Sequence, residues 1–169
     1  DSLAQLNPVF EDGGSVTAGN SSGINDGASI VMMMSEATAK RFDLDILAYV
    51  KAYANVGLDP QYMGLGPVYA IRQLIQKNGL DLSQIDLFEL NEAFAAQSLA
   101  VISELSLDPE KVNVHGGAIA LGHPLAASGT RISTTLLHLM KRREVRYGLA
   151  SLCVGGGMGI AILFERPEH

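Results

Sequence analysis

The chain has 169 residues, of which 47% are hydrophobic and 18% are charged, as is typical of one globular α/β domain, or of one domain with a remnant of another. Its net charge of −6 and the lack of a dense Lys/Arg stripe argue against nucleic-acid binding. A single cysteine excludes an internal disulfide framework and favours a reducing, cytoplasmic compartment, and no apolar run is long enough to cross a bilayer.

The amino-terminal part of the chain predicts a loop followed by two strands. Residues 1–23 are rich in Gly, Ser, Asn and Asp, which favour turns. The continuous apolar run Ala28–Met34 is short enough for a buried strand, and Ile46–Tyr53 alternates loosely, as a further strand would. Because the chain begins with Asp1 rather than Met, we expect it to be a processed protein or a piece of a longer one.

The middle of the chain alternates between predicted helices and strands. Pro67 is suited to the first position of a helix, and Gly79 is suited to end it. Residues 85–90 alternate as a strand, and residues 92–105 return to helical spacing. Residues 112–114 then predict a short strand that runs into two glycines.

The carboxy-terminal third predicts one helix and a pair of adjacent strands. Ser128 is a suitable cap for a helix that buries Ile132 and two further apolar side chains. The apolar segments Gly148–Cys153 and Ile160–Glu165, joined by a glycine turn, predict an antiparallel pair. Together these elements predict an α/β fold in which helices pack on the faces of a mixed β-sheet.

Cys153 is one candidate for chemistry, because a glycine-rich turn follows it. Consecutive glycines let backbone N–H groups point into a site, where they stabilise a thiolate or an oxyanion. A lone cysteine can also be a small buried hydrophobic residue, and that interpretation stays open. No metal-ligand spacing is present, so we expect no metal.

His123, Asn91 and His115 are the other candidates. Pro124 restricts His123 to extended or turn geometry at a strand-to-helix junction, where ligand sites often form, although a histidine in a turn can also be a surface residue. Asn91 is suited either to cap the helix that follows or to hold a water or a carbonyl oxygen. His115 has no convergent neighbour in the sequence and is expected to be structural.

Two polar segments leave a structural and a ligand-binding interpretation open. The run Asn-Ser-Ser-Gly at residues 20–23 can be an ordinary turn, or it can line an elongated amphipathic ligand. The basic cluster at residues 141–143 is suited to a solvated helix end. Its alternative is an electrostatic partner for a nucleotide phosphate.

Several long motifs closely resemble those of the thiolase family, and the resemblance spans nearly the whole chain. The motifs are TAGNSSGINDG at residues 17–27, MGLGP at 63–67, NEAFA at 91–95, GGAIALGHP at 116–124 and CVGGGMG at 153–159. The resemblance implies the carboxy-terminal part, less than half, of an acetyl-CoA acetyltransferase. Such an enzyme condenses two acetyl-CoA molecules to acetoacetyl-CoA, or runs the reverse reaction, in lipid metabolism.

The resemblance also implies a role for each matched residue. Cys153 would be the acid/base cysteine, which takes a proton from the acetyl methyl group or returns it. His123 would activate the nucleophilic cysteine and, with a water held by Asn91, would stabilise the thioester oxyanion. The N–H of Gly155 would contribute to a second oxyanion pocket. The residues that would line the pantetheine arm of coenzyme A are Ala18, Ser22, Met63 and Phe94.

Part of the active site is expected to be missing, because thiolases carry the nucleophilic cysteine in their amino-terminal half. By resemblance, residues 1–44 would be a loop and a remnant strand of that half, with Ile30–Met34 as an exposed apolar strand. Residues 45–169 would be the carboxy-terminal thiolase domain. The chain would be inactive alone. Its partners would be that amino-terminal half, the substrates acetyl-CoA or acetoacetyl-CoA, and a second copy of itself. The coenzyme A thioester would be a substrate rather than a cofactor.

Two other functions stay open as alternatives. One is a catalytically inactive coenzyme A-binding or oligomerisation domain, since the chain holds a single cysteine. The other is a ketoacyl synthase of the same superfamily, which is disfavoured because the Asn-Glu-Ala-Phe element and the terminal cysteine are thiolase features.

The chain departs from the thiolase pattern at three positions usually held by glycine, namely Ser106, Ala126 and Glu144. If these positions need a left-handed backbone, each substitution costs about 1 kcal/mol. The methyl group of Ala126 would also be expected to crowd the loop behind His123.

Overall fold

The computed structural model describes residues 2–167, so Asp1 and the last two residues of the predicted second domain lie outside the described part. Five α-helices and four β-strands form within that part. The helices are α1 (Glu36–Arg41), α2 (Gly66–Asn78), α3 (Ala95–Leu105), α4 (Ala118–Leu121) and α5 (Ser128–Arg143). The strands are β1 (Tyr49–Gly57), β2 (Leu87–Leu90), β3 (Tyr147–Val154) and β4 (Met158–Glu165). Short 3-10 helices lie at Leu3–Gln5, Ala18–Asn20, Pro60–Leu65, Leu82–Gln84 and Pro109–Lys111.

The four strands form one mixed sheet in the order β1-β4-β3-β2. Strand β4 is antiparallel to both β1 and β3, whereas β2 and β3 are parallel. The predicted antiparallel pair at the end of the chain is therefore confirmed, with Cys153 opposite Gly159. The parallel pair matters most for the site, because it places the carboxyl ends of β2 and β3 side by side.

Helices cover both faces of the sheet, as the sequence predicts. On one face α2 packs on the strands and α3 packs against α2, and the fully buried side chains there include Ile71, Leu74, Val101, Leu149 and Leu163. On the other face α5 packs on β2 and β3, and the buried side chains there include Leu87, Ile132, Leu136, Met140 and Ala150. The sheet is thus enclosed near β2 and β3, where the candidate residues lie.

The strand predicted at Ala28–Met34 is wrong. This segment is extended but pairs with no strand in the described chain, and no backbone hydrogen bond reaches residues 30–34 there. Ile30 is 92% exposed and Met32 is 78% exposed. An apolar run becomes a strand only when a neighbouring edge can pair with it, and residues 2–167 contain no such edge beside this segment.

The short strand predicted at residues 112–114 is also wrong. Only Val112 forms a bridge, to Phe88 of β2, and Asn113 then turns into the left-handed region with a φ of 46°. The side chain of Asn113 replaces the missing strand residues, since its Oδ1 accepts from the Leu90 N–H at 2.8 Å and its Nδ2 donates to the Leu90 carbonyl at 2.9 Å. An asparagine amide can imitate a peptide group in this way.

The remaining predicted elements are confirmed, with shifted ends. Helix α2 has Pro67 in its first turn and ends at Gly79, which is left-handed with a φ of 62°. The predicted strand at Ile46–Tyr53 forms as β1, which begins three residues later. Ser128 is the first residue of α5 rather than its cap, because Ala127 occupies the N-cap position.

Two of the three positions where thiolases usually have glycine need a left-handed backbone. Ser106 ends α3 with a φ of 51°, and Glu144 ends α5 with a φ of 54°. Each therefore carries a cost of about 1 kcal/mol relative to glycine. Ala126 is exposed and does not have a positive φ, so the structure does not require glycine there.

Candidate active site

The candidate residues gather where the carboxyl ends of β2 and β3 meet the start of α5. Asn91 follows β2, and its N–H donates to the Ser151 carbonyl of β3 at 3.0 Å, which continues the parallel pairing. Its side chain is 99% buried, and its Nδ2 lies 3.4 Å from Nε2 of His123. Cys153 lies two residues beyond Ser151 on β3. The structure thus joins Asn91 to His123 and places Cys153 on the neighbouring strand end.

Ser128 fixes which ring nitrogen of His123 carries the hydrogen. The Ser128 hydroxyl donates to the Pro124 carbonyl at 3.1 Å, so its oxygen is left to accept from Nδ1 of His123 at 2.5 Å. We therefore infer that Nδ1 carries the hydrogen and that the lone pair of Nε2 is directed at the Asn91 amide. A neutral imidazole with an available Nε2 is suited to accept a proton.

The loop that carries His123 is held by the amino-terminal segment of the chain. The His123 N–H donates to the Gly23 carbonyl at 2.8 Å, and Ile24 forms a parallel bridge with His123. Gly122 precedes the histidine with a φ of +91°, and a Cβ there would collide with the side chain of Asn25. The sequence therefore needs glycine at this position for two independent reasons.

Asn91 does not cap the helix that follows it. Helix α3 begins at Ala95, and the N-cap position belongs to Phe94, which is extended with a φ of −143°. The intervening residues carry Asn91 away from the helix and into the buried space beside His123. Its Oδ1 is buried and accepts no hydrogen bond from the described chain.

Glu92 is a site residue that the sequence analysis missed. Its carboxylate accepts from Asn113 Nδ2 at 3.1 Å and from the Ile119 N–H at 3.2 Å. The same carboxylate packs on Gly117, where any Cβ would collide with it. Glu92 thereby ties the end of β2 to the loop that leads to His123. The glycine pair before α4 was the available sequence signal, because it marks a close approach.

Cys153 is half-buried, and burial raises the pKa of its thiol. No side chain in the described residues forms a hydrogen bond to its sulfur, so the group is a thiol at neutral pH. The turn after it exposes Gly155 and holds Gly156 and Gly157 at φ values of 89° and 88°. Such a turn leaves backbone N–H groups available beside the thiol.

Two of the residues matched to the pantetheine arm lie together at the start of α3. The Ser22 N–H and hydroxyl both donate to the Ala93 carbonyl, at 3.0 and 3.2 Å. Ser21 forms a bridge with Phe94, whose ring meets that of Phe10 edge-on at 5.8 Å. Ala18 lies exposed one short helical turn before this contact.

Met63, the fourth residue matched to the pantetheine arm, lies in a 3-10 helix that contacts α3. It is half-buried in the 3-10 helix Pro60–Leu65, and the adjacent Gly64 packs on Gln97 of α3. The start of α3 therefore lies close both to Ser22 and to the 3-10 helix that carries Met63. A ligand that follows the surface of this helix start would contact both.

The basic cluster and His115 do not join the site. Residues 141–143 end α5, and sixteen helical residues span about 24 Å, so the cluster lies far from Ser128 and His123. The helix-end interpretation is therefore confirmed, because these residues are exposed in the last turn of α5, and the phosphate interpretation stays a prediction. His115 is exposed in the loop before α4, away from the Asn91–His123 contact.

A large apolar cavity of about 1010 Å³ lies on the same side of the sheet as α5, beyond the edge of that helix. It is lined by residues 30–34, by side chains of β1 and β4, and by α5 residues such as Leu137 and His138. Tyr53 on β1 is 71% exposed there. This cavity, hereafter the open apolar face, is separate from the loops that hold His123. Within the described residues every helix is too short or too polar to span a lipid bilayer.

Comparisons with known proteins identify two families along the chain. Residues 1–37 match the family model for the thiolase N-terminal domain, and residues 44–166 match the model for the thiolase C-terminal domain. A probable acetyl-CoA acetyltransferase of Escherichia coli is 56% identical over 99% of this chain and 43% of its own length. An acetyl-CoA acetyltransferase of Pseudomonas aeruginosa is also 56% identical, over 98% of this chain and 42% of its own length.

Solved structures give the same result. The acetyl-CoA acetyltransferase of Bacillus anthracis superposes with a TM-score of 0.96 at 51% identity, over 98% of this chain and 42% of that one. Human mitochondrial 3-ketoacyl-CoA thiolase in complex with CoA superposes with a TM-score of 0.91 at 44% identity, over 99% of this chain and 42% of that one. The chain therefore spans well under half the length of the proteins that it matches.

Proposed function

Because the chain belongs to the thiolase family, we propose that it is the carboxy-terminal part of an acetyl-CoA C-acetyltransferase. The complete enzyme would condense two acetyl-CoA molecules to acetoacetyl-CoA and free coenzyme A, or run the reverse reaction. Relatives with 52% to 56% identity that carry this name support the assignment. The observation that carries it is the contact chain from Asn91 through His123 to Ser128, which leaves Nε2 of the histidine without a hydrogen and therefore able to accept one.

In this proposal His123 is the base for the first half of the reaction. Nε2 takes the proton of a nucleophilic cysteine supplied by the amino-terminal half, and that thiolate attacks the thioester carbon. Coenzyme A leaves as its thiol once it receives a proton, which the imidazolium can return. Asn91 directs its amide toward the same space, where a water on it and His123 would stabilise the developing oxyanion.

Cys153 is the acid/base group of the second half of the reaction. In condensation Cys153 first gives its thiol proton to neutral His123, and its thiolate then removes a proton from the methyl group of the second acetyl-CoA. The resulting enolate attacks the acetyl group on the nucleophilic cysteine, which leaves as a thiolate and takes the proton held by His123. The raised pKa of the thiol suits the reverse direction, in which Cys153 gives the proton back to the enolate. The exposed N–H of Gly155 would stabilise the enolate oxygen.

The pantetheine arm of the thioester would run along the start of α3. Ser22 and Phe94 form one side of this path and Met63 forms the other, with Ala18 farther out on the surface. Half-buried apolar and small polar side chains suit an amphipathic arm. No separate cofactor is required, because the thioester itself activates the acetyl group.

The partner of this chain would be the amino-terminal thiolase half, which supplies the nucleophile. The open apolar face supports this, because residues 30–34 line it and belong to the stretch matched to the thiolase N-terminal domain. Exposed apolar surface of this extent marks an interaction site. Residues 1–44 would then complete the first domain and residues 45–169 would form the second. We further propose a homo-oligomer that acts in cytoplasmic lipid metabolism.

Reconstitution tests the proposal. The chain is mixed with the amino-terminal part of the Pseudomonas aeruginosa relative, and thiolytic cleavage of acetoacetyl-CoA is followed. We expect activity only in the mixture, a loss of about 100-fold or more for His123→Gln, and full activity for the matched control His115→Gln. Turnover by the chain alone, or an active His123→Gln mixture, would contradict the mechanism.

The second candidate is an inactive coenzyme A-binding or oligomerisation domain, favoured by the single cysteine. Calorimetric titration of the chain with coenzyme A, alongside its molar mass in solution, separates the two functions. Binding or self-association without any activity in the mixture would favour this second candidate over the first.

A further inference from the structure

Four buried polar atoms near His123 form no hydrogen bond within the described chain. They are Oε1 of Glu89, Oδ1 of Asn91, and Nε and Nη1 of Arg131. Glu89 is 99% buried. A buried polar group without a hydrogen-bond partner is destabilising, so a cluster of them calls for a physical explanation.

These atoms lie on one side of the sheet. Side chains alternate along a strand, so Leu87 and Glu89 point to the same face of β2, and Leu87 packs with Ile132 of α5. Glu89 is thereby directed toward α5. Arg131 follows Ser128 by three residues and so lies on the same side of α5 as the hydroxyl that contacts His123.

The charge of Arg131 acts on the pKa values of both His123 and Glu89. Burial is the main cause that lowers the pKa of His123, and the Arg131 guanidinium lowers it further. Burial raises the pKa of Glu89 to about 7, with Arg131 opposing the shift and Glu92 adding to it. No ion pair within 4.0 Å joins Glu89 to Arg131 in the described part, so the two act on each other across a gap.

The other ionisable groups around His123 have different roles. Asp26 lies in the segment that binds the His123 backbone, and it is exposed. Glu92 follows Asn91 but directs its carboxylate to the loop before α4. Cys153 on β3 is a neutral thiol at neutral pH, since burial raises its pKa. Arg131 is therefore the fixed charge that acts on the imidazole.

We propose that Arg131 is a positioning residue that holds His123 in its neutral form, and that Glu89 is the buried acid whose charge balances the guanidinium across the gap between them. The inference rests on the proposed function, in which His123 must accept a proton. As the pH falls, protonation of Glu89 leaves the charge of Arg131 uncompensated. The cation then opposes protonation of the imidazole, so the base stays available in mildly acidic solution.

The test measures the charge and tautomer of His123 directly and needs no catalytic activity. The chain is labelled with ¹⁵N-histidine, and long-range ¹H–¹⁵N spectra are recorded as a function of pH, with His123→Gln used to assign the signal. The variants are Arg131→Met, Arg131→Lys and Glu89→Gln. Arg72→Met is the matched control, because Arg72 is exposed and pairs with Glu104 on the far side of the sheet.

We expect His123 to carry its hydrogen on Nδ1 and to titrate below 6.5. Arg131→Met should raise its pKa by about half a unit or more, Arg131→Lys should restore it, and Arg72→Met should leave it unchanged. Glu89→Gln should not raise it, since Gln resembles the protonated acid. The proposal is overturned if Arg131→Met leaves the pKa of His123 unchanged, or if Glu89→Gln raises that pKa as much as Arg131→Met does. Either result would mean that the cluster only shields His123 from water. Should Arg131→Met fail to fold, the Arg131→Lys and Glu89→Gln titrations decide alone, and a rise in both overturns it.

Discussion

Removal of the Ser128 hydroxyl tests how the fold prepares the catalytic histidine. Ser128 is fully buried; its hydroxyl donates to the Pro124 carbonyl, and its oxygen accepts from Nδ1 of His123. Ser128→Ala leaves the Nδ1 hydrogen of half-buried His123 without its partner, which costs about 1 kcal/mol. The free energy of unfolding, measured by urea denaturation and circular dichroism, should fall by that amount.

Ser133→Ala is the matched control on the same helix. Ser133 also donates to the carbonyl four residues earlier, that of Gly129 at 2.8 Å, but it is solvent-accessible and contacts no histidine. Its removal should change the stability by less than about 0.5 kcal/mol. If Ser128→Ala is as mild as Ser133→Ala, and the His123 signal keeps its Nδ1 hydrogen in both, then Ser128 does not set the tautomer and the reasoning fails.

Three further predictions concern backbone conformation and charge. Gly122→Ala should lower the free energy of unfolding, measured in urea, by about 1–3 kcal/mol, because Gly122 has a positive φ. Gly129 has open space around it, so Gly129→Ala should leave the free energy of unfolding unchanged or raise it. Ser106→Gly and Glu144→Gly should each stabilise by about 1 kcal/mol and raise the melting temperature; an unchanged or lower value would exclude strain at these left-handed helix ends. Lys51 and two further partners lower the pKa of Glu165 to about 2, so its stabilising contribution is complete above its ordinary value of 4.5 and is lost as the pH falls toward 2. Glu165→Gln should therefore reduce the loss of the free energy of unfolding between pH 4.5 and pH 2. If the dependence of that free energy on pH is unaltered, Glu165 does not stabilise the fold through these contacts.

The sequence predicts those parts of the fold that depend on neighbouring residues. Pro67 and Gly79 mark the two ends of α2 because proline at a helix start and glycine after a helix end act locally. The closing hairpin of β3 and β4 is predicted for the same reason, since its strands are adjacent in the chain. The resemblance of the motifs then identifies the family.

Long-range contacts explain what the sequence did not predict. The apolar run Ala28–Met34 has the composition of a strand, but pairing depends on a partner edge that the described chain does not offer beside it. Val112 ends its strand after one bridge because the Asn113 side chain takes over the pairing to Leu90.

The candidate site shows the same limit. Asn91 resembles a helix cap when only its neighbours are considered, yet it binds Ser151 sixty residues later and contacts His123. The hydrogen bonds of Glu92 to Asn113 and Ile119, and the cluster of Glu89 and Arg131, likewise depend on residues that are distant in the sequence. Neither group stands out in the sequence, because their side chains meet only in the folded chain.

Hydrogen exchange into acetyl-CoA tests most directly whether Cys153 and His123 divide the reaction between them. The chain, assembled with an amino-terminal thiolase half, is incubated with acetyl-CoA in deuterium oxide, and mass spectrometry records both acetylation of that half and deuterium in the methyl group. We predict that Cys153→Ala permits acetylation but abolishes the exchange, whereas His123→Gln prevents acetylation. Exchange at the native rate in Cys153→Ala, or acetylation at the native rate in His123→Gln, would contradict the mechanism.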